Sequence, residues 1–389
     1  MDTLWLLLPI ALVFVLLVAG VIHKRPYRPT PKNAEPEEQH EVPKGRQLDR
    51  SRNNPLVTPH PHNTWETHAV FNPAVMVHNG EIHMLYRAMG HDGVSRVGYA
   101  TSTDGVHFKR HYNRPVFVPH LGRGMPLKKS KLSRFYNLIR NTSGGGWAGC
   151  EDPRVVHIGD TIYMTYVAFD GWGFIRMALT SISEADFAAQ QWNWSPSILL
   201  SPPNEIHKNW LLFPEKIHGK FAIIHSIHPH IEIEYVDALE EFDGEKRFIT
   251  SGYNRSVKTR GRWDTWVRGA GPPPVRTPYG WLVLYHGIQS GETHKYKLGA
   301  MLLDLEDPTR VIGRLAHPLL EPDTWYENHG KPGIVYASGA IVKDEMLYVY
   351  YGAGDTSVCV ATVPLSELCE AIVHGTALSQ REKQTEIEQ

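Results

Sequence analysis

One pattern occurs five times along this chain of 389 residues. Each copy has a turn marked by Gly or Pro, a strand that ends in Tyr or an aromatic-basic pair, and a second strand of alternating small and apolar residues. The copies begin at Phe71, Glu151, Phe213, Gly271 and Tyr336. A copy is one small sheet that cannot bury both of its faces alone, so we expect the copies to stack around an axis. The sequence therefore predicts an all-β fold, a five-bladed β-propeller.

The composition excludes several classes of function. Forty basic residues balance 41 acidic ones, so the formal charge of -1 gives no global field that would attract nucleic acid. Three cysteines, Cys150, Cys359 and Cys369, lack CxxC spacing, which argues against a disulfide framework and a structural zinc site. The histidine clusters show no known ligand spacing. We therefore predict no metal and no cofactor.

The N-terminus predicts a membrane anchor. Leu4 to Ile22 is an uncharged run of 19 residues, long enough to cross a bilayer as a helix. A cleaved signal peptide is the competing interpretation, but Asp2 is acidic, Lys24 and Arg25 follow the run, and no clear cleavage site is present. The basic flank favours a single-pass anchor with the catalytic domain in the cytoplasm.

The remaining organisation follows from composition. We assign residues 1–23 to the transmembrane anchor, 24–53 to a flexible linker rich in Pro and charge, 54–373 to the propeller and 374–389 to a C-terminal tail. A basic stretch, Leu121 to Gly146, separates the first two copies. It is either a solvated loop or an anion-binding lid.

Polar residues stand at equivalent places in the copies. When the first strands are superposed, Asn72, Asp152 and Glu215 fall at one phase, where a purely structural repeat would hold apolar residues. Convergent amides, carboxylates and histidines at a channel mouth are typical of a carbohydrate site. Taken alone, Asp152 before Pro153 also suits a turn, and Glu215 also suits an ion pair.

Six motifs occur in order at blade spacing. They are Gly149-Cys150-Glu151-Asp152-Pro153-Arg154, Leu212-Phe213-Pro214-Glu215-Lys216, Gly269-Ala270-Gly271-Pro272-Pro273-Pro274, Leu284-Tyr285-His286-Gly287, Leu298-Gly299-Ala300-Met301-Leu302-Leu303-Asp304 and Tyr351-Gly352-Ala353-Gly354-Asp355. From about residue 54 to 370 the chain resembles glycoside hydrolase family 130, which contains β-mannoside phosphorylases and β-mannosidases.

The resemblance implies roles for individual residues. Asp152 matches the general acid, which protonates the leaving glycosidic oxygen through a hydroxyl of the mannosyl unit, with inversion by direct displacement. Asn72 and Asp355 match residues that hold this mannosyl unit, and Tyr336 matches an aromatic wall. Four positions match residues that help phosphorylases to bind phosphate: Arg87, Arg268, His286 and Tyr296. Two further candidates for substrate binding lie inside the motifs: Arg154 and Lys216.

Two departures from the family pattern bear on the reaction. Glu215 and Ser226 stand where several phosphorylases carry Arg, and a carboxylate would repel bound phosphate. The sequence therefore favours an inverting β-mannosidase in which Glu215 is the base that activates water. The alternatives are a β-mannoside phosphorylase, with inorganic phosphate as co-substrate and mannose 1-phosphate as product, and a non-catalytic carbohydrate-binding propeller.

The predicted partners are a β-mannoside oligosaccharide and, through the anchor, the membrane. An arabinanase-like propeller is disfavoured, because the motif around Gly271 and the Tyr285-His286-Gly287 motif do not suit it. The sequence leaves open the linkage, the chain length, the acceptor sugar and the oligomeric state.

Overall fold

The strands of the described residues form five successive antiparallel units, which we call blades one to five. A computed structural model of the protein describes residues 47–119, 146, 148–169, 175–251, 257–259 and 261–375. All described residues belong to one compact unit. The order of the blades along the chain follows the order of the five sequence copies.

The blades contain three to five strands each. Blade one consists of β2 (Ala69–His78), β3 (Glu81–Met89), β4 (Val94–Ser102) and β5 (Lys109–Arg110). Blade two consists of β6 (Ala148–Ile158), β7 (Thr161–Phe169), β8 (Ile175–Ser183) and β9 (Ile198–Leu199). Blade three consists of β10 (Leu211–Leu212), β11 (Phe221–Ser226) and β12 (Glu232–Val236). Blade four consists of β13 (Trp266–Ala270), β14 (Val275–Thr277), β15 (Gly280–Ile288), β16 (Lys297–Leu303) and β17 (Val311–Arg314). Blade five consists of β18 (Val335–Lys343), β19 (Met346–Ala353), β20 (Ser357–Pro364) and β1 (Asp49–Arg50).

Blade five is built from distant parts of the chain. The short strand β1 pairs antiparallel with β20, with Asp49 opposite Thr362. This strand lies in the segment that the sequence assigned to the linker. Blades one and two are joined by parallel pairing of β4 with β6.

One short helix lies between two strands of blade two, and another follows blade five. Helix α1 (Glu184–Ala188) comes directly after β8, and the Ser183 hydroxyl caps it by accepting a hydrogen bond from the Asp186 amide. Helix α2 (Leu365–His374) follows β20 and ends at Gly375, whose φ of 63° is favourable for glycine. A single 3-10 turn, Leu239–Glu241, follows β12.

The hydrophobic core lies between the blades. Each of its five main clusters takes side chains from two adjacent blades, so every blade buries both of its faces. In order around the ring, one such pair of residues per cluster is Leu85 and Met164, Val167 and Leu212, Leu211 and Trp281, Leu284 and Val349, and Val360 and Met84. This packing is the solution that the five copies predicted.

Three blades repeat a buried polar contact, which we call a carboxylate clamp. In each clamp a fully buried carboxylate accepts a hydrogen bond from a tyrosine hydroxyl, at 2.8, 2.7 and 2.9 Å, and faces an arginine. The clamps are Glu66 with Tyr86 and Arg110, Asp264 with Tyr285 and Arg314, and Glu327 with Tyr351 and Arg50. Each clamp ties the loop before the first strand to the second and outermost strands of one blade.

The prediction of an N-terminal transmembrane helix is corrected. Among the described residues, no helix has the length and apolar character needed to cross a membrane. The longer helix, α2, has 10 residues and so spans about 15 Å, half of the roughly 30 Å of a hydrocarbon core. Leu4 to Ile22, to which the anchor was assigned, lie outside the described residues. The predicted single-pass membrane anchor, and the cytoplasmic location of the catalytic domain that was inferred from it, are therefore withdrawn.

We expect Gly98→Ala to destabilise the fold. Gly98 lies opposite Tyr86 in the β3–β4 ladder, and a methyl group there would overlap the Tyr86 ring that forms a carboxylate clamp. The free energy of unfolding, measured by urea denaturation, should fall by about 3 kcal/mol. Gly80→Ala is the control, because its methyl group would meet nothing within 4 Å and only the φ of 78° opposes it, at about 1 kcal/mol. Equal losses of unfolding free energy in the two variants would contradict the close packing of the Tyr86 ring on Gly98.

Candidate active site

Backbone bulges bring Asn72 and Asp152 together. The register shifts by one residue between Phe71 and Pro73 on β2, and again between Glu151 and Arg154 on β6. The bulged residues Asn72 and Asp152 have φ of 47° and 50°, in the left-handed region. Bulges re-aim side chains, and here the Asn72 amide nitrogen donates to the Asp152 carboxylate at 2.7 Å. Both side chains are buried.

Arg87 connects Asp152 to a second carboxylate, Glu151. From β3, its guanidinium donates to Asp152 and to Glu151, each at 3.0 Å, and to the Ser95 hydroxyl at 3.0 Å. The Lys208 ammonium reaches the other oxygen of Glu151 at 3.4 Å. The carboxylates of Asp152 and Glu151 and the cations of Arg87 and Lys208 thus form one network.

A second cluster adjoins Asp152 through Arg154. The Arg154 guanidinium donates to the backbone oxygen of Asp152 at 2.9 Å, to the Asn209 side chain at 3.1 Å and to the Tyr336 hydroxyl at 3.2 Å. The Tyr336 ring stacks on His286 with centroids 4.1 Å apart and an interplanar angle of 9°. Four blades thus contribute to one polar cluster.

The remaining predicted site residues lie around these clusters. Arg268 is exposed and donates to the Tyr296 hydroxyl at 3.1 Å, and its backbone oxygen accepts from the Asn209 amide at 3.1 Å. Asp355, in the turn after β19, pairs with Lys331 at 3.3 Å. Asp355 also acts electrostatically on Arg87.

The cations around Asp152 control its ionisation. Burial alone would raise the pKa of Asp152, but Arg87, Arg154 and Lys208 outweigh burial and hold this pKa at about 2. For Asp355 burial prevails and raises the pKa of the carboxyl, although Lys331 and Arg87 oppose it. Burial, aided by Arg154, lowers the pKa of His286 to about 3. At neutral pH, then, Asp152 is ionised and His286 is uncharged in the unliganded protein.

His286 has a fixed role as an acceptor. Its Nε2 atom accepts a hydrogen bond from the Ala337 amide at 3.0 Å, so this nitrogen carries no proton. Because its ring is buried and neutral, His286 contributes the surface on which Tyr336 stacks and adds no charge to the site.

Glu215 and Lys216 are not brought into these clusters. Both are exposed; Glu215 pairs with Arg276 on β14 at 3.1 Å, and the Lys216 ammonium lies over the Phe221 ring at 4.4 Å. In blade three the left-handed residue next to Arg154 is Asn209, with φ of 65°. The superposition of sequence copies therefore placed the third-blade position six residues too late.

Three site residues were missed in the sequence: Glu151, Lys208 and Asn209. Glu151 was hidden beside the more prominent Asp152. Lys208 and Asn209 precede the very short strand β10, which gives little periodicity to align. An Asn ahead of a buried apolar pair, as in Asn209-Trp210-Leu211, repeats the polar-before-apolar order of Asn72 and was the available signal.

The arrangement suits acid catalysis on a ligand that carries hydroxyl groups and negative charge. A buried carboxyl stands among amide, hydroxyl and cationic donors, with the stacked ring of Tyr336 beside them. Within the described ranges, no group of three or more His, Cys, Asp or Glu side chains is placed to hold a metal ion.

Comparisons with known proteins agree with this chemistry. A family model described as beta-1,4-mannooligosaccharide phosphorylase matches residues 37–123 and 136–373. A 1,2-beta-oligomannan phosphorylase of Thermoanaerobacter sp. (strain X514) is 34% identical over 82% of this chain and 98% of its own. A beta-1,2-mannobiose phosphorylase of the same strain is 32% identical over 81% of this chain and 97% of its own. The solved beta-1,2-mannobiose phosphorylase of Listeria innocua, in complex with beta-1,2-mannobiose, is 26% identical with a TM-score of 0.61 and covers 84% of this chain and 99% of its own.

The depressed pKa of Asp152 predicts a specific pH dependence of stability. A carboxyl whose pKa is about 2 when folded and 3.8 when unfolded stabilises the fold above pH 3.8, and this contribution is lost as the pH falls towards 2. The difference in unfolding free energy between wild type and Asp152→Asn should therefore shrink by about 1 kcal/mol from pH 5 to pH 3.

Asp355→Asn provides the control for this measurement. Because the pKa of Asp355 is raised, its ionised form opposes folding, and the corresponding difference should move in the opposite direction. A shift of the same sign in both variants, by urea denaturation at the two pH values, would refute the assigned ionisation states.

Proposed function

This chain belongs to glycoside hydrolase family 130 and is an enzyme of the glycosidase or glycoside phosphorylase type, and from this premise we propose that it is a β-1,2-mannoside phosphorylase. In the proposed reaction a phosphate oxygen bonds to the anomeric carbon of a mannosyl unit while the glycosidic bond breaks. The products are mannose 1-phosphate and a shortened mannoside. Inorganic phosphate is the co-substrate, and no further cofactor is required.

The proposal rests on the charge that bears on Asp152. Three cationic side chains, Arg87, Arg154 and Lys208, outweigh full burial of this carboxyl. Cations fixed in a largely buried site favour a bound dianion, which a hydrolase that uses only water does not need. The base assigned for hydrolysis, Glu215, forms an exposed pair with Arg276 instead, so phosphorolysis is the better supported of the two reactions.

We propose Asp152 as the general acid. Its proton passes to the leaving oxygen through a hydroxyl of the mannosyl unit, and the proton carried by hydrogen phosphate then restores Asp152. Asn72 fixes the carboxylate by its hydrogen bond at 2.7 Å, which keeps the acid in one orientation. Asn72, Asp355 and Tyr336 are proposed to hold the mannosyl unit, and Arg87, Lys208 and Arg268 the phosphate.

The β-1,2 linkage is proposed from the relatives at 32–34% identity, which are named for β-1,2-linked substrates, whereas the family model is named for β-1,4-linked ones. Sets of mannobioses with either linkage distinguish the two possibilities directly.

The reaction is tested with β-1,2-mannobiose in the presence and absence of inorganic phosphate. We expect mannose 1-phosphate and mannose in equal amounts with phosphate, and almost no turnover without it. Asp152→Asn should reduce kcat by about 10³-fold, because the proton donor is lost. Release of free mannose at the same rate in both conditions would establish hydrolysis instead and reject the proposal.

Lys208→Met separates phosphate binding from sugar binding. Removing this ammonium should raise the KM for phosphate about tenfold and change the KM for mannobiose much less. Lys220→Met is the matched control, since Lys220 is half-exposed and pairs with Asp237 just outside the ends of β11 and β12. An unchanged phosphate KM in Lys208→Met would remove Lys208 from the phosphate site.

A further inference from the structure

Trp325 is an unusually exposed aromatic side chain. It leaves 69% of its surface open to solvent, more than any other large apolar residue among the described ranges. Four exposed polar residues lie near it in the sequence: Asp323, Asn328, His329 and Lys331. A single indole ring in a polar surrounding does not form the contiguous apolar patch that a stable protein interface needs.

The loop that carries Trp325 is held firmly. The carboxylate of Glu327, in its clamp, accepts hydrogen bonds from the backbone amides of Asp323 and Thr324 at 2.9 and 3.1 Å. The Asn328 amide donates to the Trp325 oxygen at 3.2 Å, and the Asn328 side chain donates to the Thr324 oxygen at 2.8 Å. The backbone that presents the indole is therefore fixed before any ligand binds.

The same loop lies against the turn that holds Asp355. The Lys331 amide donates to the Gly354 oxygen at 2.8 Å, and the Lys331 ammonium pairs with Asp355 at 3.3 Å. At Gly354 an added methyl group would collide with the His329 backbone oxygen, so loop and turn touch. The loop that carries Trp325 thus adjoins the turn of Asp355, a residue proposed to hold the mannosyl unit.

The exposed ring of Trp325, which we call the platform, has the chemistry to bind a sugar ring. The Trp325 ring lies 6.4 Å from His329, centroid to centroid, at 64°, and 5.5 Å from the buried Tyr326. An indole face offers apolar area to the C–H face of a pyranose, while the indole N–H and the neighbouring polar side chains can serve its hydroxyl groups.

We propose that Trp325 binds the third or a later mannosyl unit of the substrate chain, counted from the unit that is transferred to phosphate. The platform then favours oligosaccharides of three or more units over the disaccharide. This inference rests on the proposed function, because it takes a β-1,2-mannoside as the substrate.

The test compares phosphorolysis of β-1,2-mannobiose, mannotriose and mannotetraose by wild type and Trp325→Ala. We expect the KM for the longer substrates to rise about tenfold in Trp325→Ala, so that the ratio of kcat/KM for triose to that for biose falls by about the same factor. Trp325→Tyr, which keeps an aromatic face, should recover most of this ratio.

Tyr279→Ala is the matched control. Tyr279 is a partly exposed aromatic residue in the β14–β15 turn, where it donates to Glu370 of α2, and its removal should leave the ratio unchanged. An unaltered ratio in Trp325→Ala overturns the platform while wild-type phosphorolysis upholds the reaction. A changed oligomeric state of Trp325→Ala in sedimentation, without a changed ratio, would assign the residue to contacts between copies instead. Absence of mannose 1-phosphate in the wild type rejects the proposed function itself.

Discussion

Arg87 carries a positive charge that is withdrawn from water, and the candidate site is arranged around that charge. Glu151 and Asp152 neutralise it from one strand, each at 3.0 Å, and the Ser95 hydroxyl takes its third donor. Removing one partner of such a buried pair costs about 3–5 kcal/mol, because the other charge is left uncompensated. Asp152 and Arg87 are therefore needed for the stability of the fold as well as for the proposed reaction. Lys208 then reaches Glu151, whose second oxygen Arg87 leaves available.

Three of the blades carry a buried carboxylate clamp that holds the start of the blade in place. Each carboxylate clamp fastens the loop that precedes the first strand of a blade, and that strand carries the site residue. In blade five, Glu327 is bound by Arg50 of β1 and by Tyr351 of β19, so the segment that completes the blade also supports the strand of Tyr336. An aromatic residue directly precedes each clamp carboxylate, as in Trp65-Glu66 and Trp263-Asp264. This repeat is visible in the sequence, although it carries no catalytic chemistry.

Much of the architecture could be predicted because a blade is defined by local spacing. The turn-strand-strand pattern repeats wherever two long strands pair, as at Asn72 and Asp152, and there the sequence copies and the bulges coincide. Blade three defeats the same reasoning. Its first strand has two residues, so the Phe-Pro motif attracted the alignment to Glu215, and the true neighbour of Arg154, Asn209, escaped. Ion pairs such as Lys208 with Glu151, 57 residues apart, depend on the closed ring and leave no local pattern. Linkage preference has no local pattern either, because it depends on surface loops.

The ionisation of Asp152 links the two substrates of the proposed reaction. In the unliganded site its pKa of about 2 means that the acid holds no proton at neutral pH. A phosphate dianion beside Arg87 and Lys208 takes up part of the positive charge that keeps this pKa low, and a sugar ring over the carboxyl excludes water. Both effects raise the proton affinity of Asp152, and they add only when phosphate and mannoside are bound together. We infer that Asp152 is protonated in the ternary complex. Asp152 therefore acquires its proton only when the bond to be broken and the phosphate acceptor are both in place, and this order favours phosphorolysis over transfer of the sugar to water.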